Sequence, residues 1–376
     1  MTGKTIAISI NASWNIFNFR AGLIRALQGE GYRVVALSPP DAWAPRLAEL
    51  GIDHVPVAMD SAGVSPLHDL ALLARYRRVL KRLGPDVFLG YTAKPNVWGS
   101  LAAQSLGIKV INNVSGLGTA FIREGLLTRI VTRLYRAAFR RSATVFFQNS
   151  EDRELFVTRG IVDPGKAALL PGSGIDLARF APRPRGPAEA GPFAFLMVAR
   201  LLWDKGVGEY VEAARIVRRQ RPDTSFRMLG FLDALNRTAV ARAEVENWVA
   251  DGLIDYLGDA EDVRPFIAAA DAVVLPSYRE GLPRVLLEAA AMARPLIATD
   301  VPGCRHAVEE GVSGYLCAPR DAASLAAAML RLMGLAEAER AAMGAAARAR
   351  VETEFDERLV ARRYAEAIEA ALKGPK

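Results

Sequence analysis

The 376-residue sequence predicts an α/β protein built from two doubly wound parallel sheets that face each other across a cleft. Three observations lead to this fold class. Short β-branched or apolar runs alternate with helical stretches along most of the chain, the pattern of parallel α/β layers. One proline-rich interruption, APRPRGPAEAGP at 181–192, lacks helical and strand periodicity and splits the alternation into two series. The length also exceeds what one ordinary core fills and fits two domains of common size.

Taken in order, the strand candidates of the first series are TIAISI, YRVVALS, HVPVAM, DVFLGYT, KVINNVS, ATVFFQN and AALLPGS. They give a first domain over 1–180, followed by the linker at 181–192. The second series, FAFLMVAR, SFRMLGF, IDYLGD, DAVVLPS, PLIATD and GYLCAP, gives a second domain over 193–354. From about Asp321 the chain turns helical and alanine-rich, and it closes on ERLVARRYAEAIEAALK within 355–376. Ligands of open α/β sheets collect at the carboxyl ends of the strands, so motifs that follow strands are the candidates for function.

Composition narrows the classes. Hydrophobic residues make up 51% and the mean hydropathy is +0.13, which indicates a well-buried globular protein. No run of about 18 apolar residues is free of charge, so no spanning helix is expected. MTGKTIAISI enters a strand pattern directly and has no secretory layout. Two cysteines, Cys304 and Cys317, and three scattered histidines, His54, His68 and His306, suit a reducing cytoplasm and offer no disulfide or metal framework. Residues 1–190 hold 24 Lys and Arg against 14 acids, whereas 191–376 hold 24 against 27. The basic first half points to an anionic partner: a phosphate-bearing substrate, a membrane surface or nucleic acid. No helix-turn-helix, zinc finger or aromatic-basic platform accompanies the charge, which disfavours nucleic acid.

The stretch LPSYREGLPRVLLEAAAMARP, 275–295, places Glu280 in the loop after a buried strand and Glu288 inside the next helix. Gly281 permits close backbone approach, and Pro283 suits the first helical position. The helix start offers amide groups and a partial positive charge, a ready phosphate site. Eight residues of helix would set the two carboxylates roughly 80° apart. One can accept from hydroxyls on one side of a diphosphate while the other takes hydroxyls on the far side, the layout of a nucleotide sugar. Paired glutamates near a helix start are common in themselves. FLMVARLLWDKGVGEYVEAA adds two cations at the same sheet edge: Arg200 at a strand end and Lys205 near a helix opening, with Asp204 suited to cap that helix and Gly206 to loosen the turn. Together the cations suit negative charge growing on a leaving diphosphate.

VARLLWDKGV together with LPSYREGLPRVLLEA resembles the donor-binding half of family 4 retaining glycosyltransferases, and the resemblance extends over essentially the whole chain. It implies two Rossmann-like domains of the glycosyltransferase B type, acceptor-binding first and donor-binding second, with the last helix crossing back to the first domain. It implies that Arg200 and Lys205 hold the donor diphosphate, that Glu280 with Gly281, Leu282 and Pro283 meets the transferred sugar, and that Glu288 holds the ribose. Gly230 in MLGF and Leu257 in DYLGD would border the nucleotide. SWNIFNFRAGLIRAL, YTAKPNVWGSLAA and VSGLGTAF resemble the branch that extends polyprenyl-diphosphate-linked saccharides, typified by an α-1,3-N-acetylgalactosaminyltransferase acting on diacetylbacillosaminyl-diphospho-undecaprenol. The resemblance thus implies transfer of an N-acetylhexosamine from a UDP-sugar to such a lipid, at the inner face of the plasma membrane. Two departures stand out: the first loop lacks the glycine pair of many members, and no histidine lies near the reacting sugar in the first domain. No first-domain catalytic histidine is therefore carried over.

On the acceptor side the candidates are Asn15, Asn18 and Arg20 after the first strand, Lys94 after DVFLGYT, and Gly118 in VSGLGTAF. Trp14 and Phe17 serve either for packing or as a lip for lipid. Arg129, Arg133, Arg136 and Arg140 recur every three or four residues, within about a 60° arc of one helix, and suit either an anionic membrane surface or a solvated face. No Asp-x-Asp occurs, so no metal and no cofactor is expected. Front-face substitution is the expected course, the departing phosphate oxygen taking the acceptor's proton. The rivals are an epimerase on the same two-domain plan, a dinucleotide oxidoreductase, which the lack of an early Gly-x-Gly-x-x-Gly weakens, and a non-catalytic nucleotide-sugar sensor.

Overall fold

The computed structural model describes residues 3–60, 65–117, 126–183, 191–232 and 238–374, with the side chains of 126 and 127 left aside. The chain forms two compact units: Met1–Gly174 with Glu357–Lys376, and Ile175–Asp356.

The first unit runs β1 (Thr5–Ser9), α1 (Ser13–Phe19), α2 (Ala21–Gly29), β2 (Arg33–Ser38), β3 (Asp53–Pro56), α3 (Pro66–Leu83), β4 (Val87–Tyr91), α4 (Ser100–Gln104), β5 (Lys109–Val114), α5 (Leu126–Phe139), β6 (Thr144–Phe147), α6 (Ser150–Thr158) and β7 (Ala167–Leu169). The seven strands pair in parallel in the order β3-β2-β1-β4-β5-β6-β7. A parallel sheet is covered on both faces, which is why these strands read as continuous apolar runs. Ile6, Ile8, Leu89 and Ile111 bury one face, and Ala7, Val35, Phe88 and Val110 the other. The ladder ends are marked locally. Asn149 caps α6 by accepting from the Asp152 amide, and Gly84 in the left-handed region closes α3.

The second unit runs β8 (Ala194–Val198), α7 (Val207–Gln220), β9 (Ser225–Leu229), α8 (Arg242–Ala250), β10 (Asp255–Tyr256), α9 (Arg264–Ala268), β11 (Ala272–Leu275), α10 (Arg284–Ala291), β12 (Leu296–Thr299), α11 (Cys304–Ala307), β13 (Gly314–Cys317), α12 (Ala322–Met333) and α13 (Glu337–Glu354). Its six strands are parallel in the order β10-β9-β8-β11-β12-β13. One face packs Phe195, Met197 and Val274 against α7 and α12, the other Leu196, Val273 and Leu275 against α10 and α13.

The division of the chain differs from the expected 1–180, 181–192, 193–354 and 355–376. Residues 175–183 belong to the second unit, because Ile175 and Phe180 are buried in its core and Arg348 donates to the carbonyl of Phe180 at 2.9 Å. Residues 184–190, most of the expected linker, lie outside the described residues. The chain re-enters the first unit at Glu357, where α14 (Glu357–Lys373) packs Val360, Tyr364 and Ile368 into the core beside Ile24 and Leu27. Among the described residues no helix is long and apolar enough to cross a membrane.

Candidate active site

In the second unit the loops after β8, β9, β10, β11 and β12 all leave the same carboxyl edge of the sheet, and backbone proximity locks them together. After β8, Ala199 and Leu201 continue to pair with Leu229 and Phe231, at 3.1 and 3.2 Å. Arg200, between them, is exposed and forms no ion pair among the described residues. Trp203–Lys205 then makes one 3₁₀ turn, and Gly206 adopts φ 74°. A Cβ at Gly206 would lie 2.1 Å from the Pro276 carbonyl oxygen, so only glycine lets the β8 loop reach the β11 loop. The Tyr278 amide in turn donates to the Asp204 carbonyl at 3.0 Å. Asp204 therefore works through its backbone. It does not cap α7, whose N-cap is Gly206 with no side-chain acceptor, because the extra turn separates the two.

This contact carries Lys205 onto Glu280, whose carboxylate accepts from the Lys205 ammonium; their side chains are 22% and 14% exposed. Behind Glu280 lies the β12 loop. A Cβ at Gly303 would sit 2.6 Å from the carbonyl oxygens of Glu280 and Gly281, so that loop also needs glycine at its contact. Cys304, fully buried beneath, has its thiol pushed up by burial and by the Glu280 carboxylate, which makes it a packing residue.

Pro283 is the N-cap of α10, one position earlier than its expected place inside the helix, and it supplies no side-chain acceptor to the first-turn amides. Gly281, Leu282 and Pro283 are all buried at this turn. Glu288, 9% exposed, lies one turn further on and accepts from Arg284 Nε at 2.7 Å. Burial raises the Glu288 pKa, while Arg284 and Arg179 oppose the rise. Gly230 and Leu257 stand at the same edge for reasons of packing. A Cβ at Gly230 would lie 1.7 Å from the Ala199 carbonyl oxygen, and the half-buried Leu257 donates its amide to Met228 at 2.8 Å.

The structure thus joins Lys205 to Glu280 and holds Glu288 from its own helix. Four residues escaped sequence reasoning as partners. Arg284 stands at i,i+4 spacing from Glu288, a signal that was present. Tyr278 donates to Glu209 at 2.8 Å, its hydroxyl pushed up to about 12 by burial and then by Glu209, and Arg320 lies over its ring at 4.5 Å. Only the fold brings those three together.

The first-unit candidates are more dispersed. Asn18 donates to the Trp14 carbonyl at 3.0 Å within its own helix, and Asn15 is half-buried. Trp14, 41% exposed, packs edge-on against Phe19 and Trp43, while Arg46 covers Phe17 and Trp43. Lys94, an acceptor-side candidate, is paired with Asp69 at 3.1 Å, because α3 passes alongside. It lines a cavity of about 350 Å³ with Met59, Asp60, His68, Leu72 and Arg75. Gly118 lies outside the described residues. Arg129, Arg133, Arg136 and Arg140 are all exposed on α5 or just past its end, and Arg136 is in addition tied to α6. It donates to the carbonyls of Arg159 and Gly160, at 2.7 and 2.8 Å, closing the end of α6. Among the described residues no three His, Cys, Asp or Glu side chains group as a metal site.

Comparison with known proteins matches both units. Residues 19–173 match the glycosyl transferase 4-like domain, and residues 192–334 match glycosyl transferases group 1. The chain is similar, at 27% identity over 96% of its length and 98% of the relative, to N,N'-diacetylbacillosaminyl-diphospho-undecaprenol alpha-1,3-N-acetylgalactosaminyltransferase of Campylobacter jejuni. It is 26% identical, over 72% of each chain, to UDP-Gal:alpha-D-GlcNAc-diphosphoundecaprenol alpha-1,3-galactosyltransferase of Escherichia coli. The crystal structure of a glycosyltransferase from Rickettsia africae shares the fold at a TM-score of 0.80 and 18% identity, over 100% of both chains. With a 4-like first domain, a group 1 second domain and two parallel Rossmann-like sheets, the chain belongs to the glycosyltransferases of the B architecture.

Proposed function

We propose that this chain is a family 4 retaining, metal-independent glycosyltransferase that moves an N-acetylhexosamine from a UDP-sugar to a saccharide carried on polyprenyl diphosphate. The observation that carries this reading is the Lys205–Glu280 pair beside the uncapped start of α10, at the carboxyl edge of the second sheet. The acceptor class draws on two relatives, both named for transfer to sugars on diphosphoundecaprenol, and the donor class on the Escherichia coli relative, named for UDP-Gal.

On this reading donor binding exchanges partners. The diphosphate takes Lys205 from Glu280, with Arg200 and the first amides of α10 completing its counter-charge. Glu280, released, accepts from hydroxyls of the transferred sugar, and Glu288 accepts from the ribose. The bond between the anomeric carbon and the phosphate oxygen then breaks as the acceptor oxygen bonds on the same face. The acceptor's proton passes to the departing phosphate oxygen. Lys205 and Arg200 stabilise the charge on UDP in place of a metal. Arg129, Arg133 and Arg140 would hold the enzyme on the anionic inner leaflet of the plasma membrane, where its acceptor lies.

The test is a UDP-release screen of several UDP-sugars against polyprenyl-diphosphate mono- and disaccharides, with and without EDTA, and proton NMR of the product. Turnover that needs both substrates, persists in EDTA and yields the donor's anomeric configuration is expected. An inverted linkage, a trapped glycosyl-enzyme or UDP-sugar conversion without acceptor would overturn the mechanism.

A further inference from the structure

Among the described residues Arg20 is a buried guanidinium with no counter-ion. It ends α1, just beyond the carboxyl end of β1, and is 5% exposed. Its contacts are a 3.4 Å approach of Nη1 to the Phe19 carbonyl and the face of the Tyr91 ring, 4.3 Å away; Nε has no acceptor. Among the described residues no carboxylate pairs with it. Two shielded arginines of the second unit are treated otherwise. Arg348 binds Glu352 and the carbonyls of Phe180 and Ala291, and Arg284 binds Glu288. A guanidinium cannot discharge itself by losing a proton, and a buried charge is costly unless paired. The ring face of Tyr91 meets part of that cost.

A second unmet group lies on the same edge. The Oδ1 atom of Asn11, two residues past β1, is buried and accepts no hydrogen bond. Tyr91 closes β4, which pairs directly with β1, so Arg20, Asn11 and Tyr91 all stand at the carboxyl ends of adjacent central strands. That is where open α/β sheets place their ligands. A planar fork of donors with no carboxylate among the described residues, at the same sheet edge as an acceptor with no donor there, suits a ligand that carries both oxyanion and hydroxyl.

We propose that Arg20 is a phosphate-binding residue of the first unit, contacting a phosphate oxyanion of a diphosphate substrate. The identity of that substrate rests on the function proposed above, which supplies two diphosphates: that of the lipid acceptor and that of the donor. Arg20 acts as a fork onto phosphate oxygens, and Tyr91 holds the fork in plane.

The test compares Arg20→Met, which keeps volume over Tyr91 without charge, with Arg20→Lys and the unaltered enzyme. Acceptor and donor KM are measured with a polyprenyl-diphosphate saccharide and with the same saccharide on a neutral alkyl chain. Removing a charge-assisted contact should raise one KM about tenfold or more, with partial rescue by lysine. A rise for the diphosphate acceptor but not for the alkyl glycoside assigns the lipid, and a rise in donor KM alone assigns the nucleotide sugar. Unchanged values for both substrates, or an equal rise for charged and neutral acceptors with donor KM unchanged, overturns the assignment. Calorimetric titration of farnesyl diphosphate, with farnesol as control, judges Arg20 independently of turnover. Binding that is weaker in Arg20→Met than in the unaltered protein supports the site, and equal binding refutes it. If the unaltered enzyme releases no UDP with any lipid acceptor, the proposed function fails while this titration still decides on Arg20. Should Arg20→Met not fold, Arg20→Gln carries the same comparisons.

Discussion

A double-substitution cycle on Lys205 and Glu280 separates what their ion pair does for the fold from what each residue does in catalysis. The side chains are 22% and 14% exposed, so the pair is shielded without being sealed off. Removing one partner strands the other charge in that environment, at a cost of roughly 1–3 kcal/mol, below the range for fully buried pairs. At about 2–4 °C per kcal/mol for a unit of this size, Lys205→Ala and Glu280→Ala should each lower the melting temperature by several degrees. The double variant leaves neither charge stranded, so it should melt above the sum of the single effects. Activity should behave in the opposite way. Losing the ammonium that faces the departing diphosphate should lower kcat about 10²- to 10³-fold, and removing Glu280 as well should restore nothing. Thermal denaturation and a continuous UDP-release assay on the four proteins check both halves. If the double variant recovers activity along with stability, the pair is structural and the catalytic assignment of Lys205 is wrong. If Lys205→Ala retains activity within a few-fold, the diphosphate is held elsewhere.

Other outcomes follow from single contacts. In Arg284→Gln the Glu288 carboxyl loses its nearest opposing charge, leaving Arg179 to oppose burial and Asp262 to reinforce it, so its pKa rises further. The acid form should then persist to higher pH, so donor KM should rise on the acid side of the profile and recover as pH climbs. A group whose folded pKa is raised loses its stabilisation as pH climbs, so this variant's melting temperature should fall more steeply from acid to neutral pH than that of the unaltered enzyme. Parallel pH profiles for the two proteins would exclude the role given to Arg284. Gly230→Ala places a Cβ 1.7 Å from the Ala199 carbonyl oxygen and should cost about 3 kcal/mol or more. Gly29→Ala, at the open end of α2 with nothing within 4 Å, should instead stabilise by about 0.5–1 kcal/mol, both read by chemical denaturation. Reversing Arg129, Arg133 and Arg140 to glutamate should abolish sedimentation with anionic vesicles at low salt. Arg136→Ala should leave vesicle binding nearly intact and lower stability, because that guanidinium closes α6.

Several features of the site were legible before any coordinates. The loops after FLMV and DAVVLPS carry Arg200, Lys205 and Glu280, and parallel strands send those loops to one sheet edge whatever the side chains later do. The Arg284–Glu288 contact was readable from i,i+4 spacing on a helix. The pairing of Lys94 went unread because its partner Asp69 comes from a helix 25 positions earlier, and no local pattern reports that approach. The bonds of Arg136 to the end of α6 were hidden for the same reason, although the side chain stays exposed in its stripe.

By itself, then, the sequence determined the two parallel sheets, the order of their strands along the chain and the loops that leave the carboxyl edge of the second sheet. Burial on both faces and glycine at tight approaches are properties of short segments, and they leave a short-range pattern. Only the tertiary structure decided which charges meet: Lys205 with Glu280 across 75 positions, Lys94 with Asp69, and Arg20 with no carboxylate among the described residues. It likewise placed the division of the chain at Gly174 and Asp356, where packing changes and composition does not. The reason is one of range. Periodicity follows from neighbours along the chain, whereas ion pairs and unit boundaries follow from neighbours in space, and those exist only once the sheets have formed.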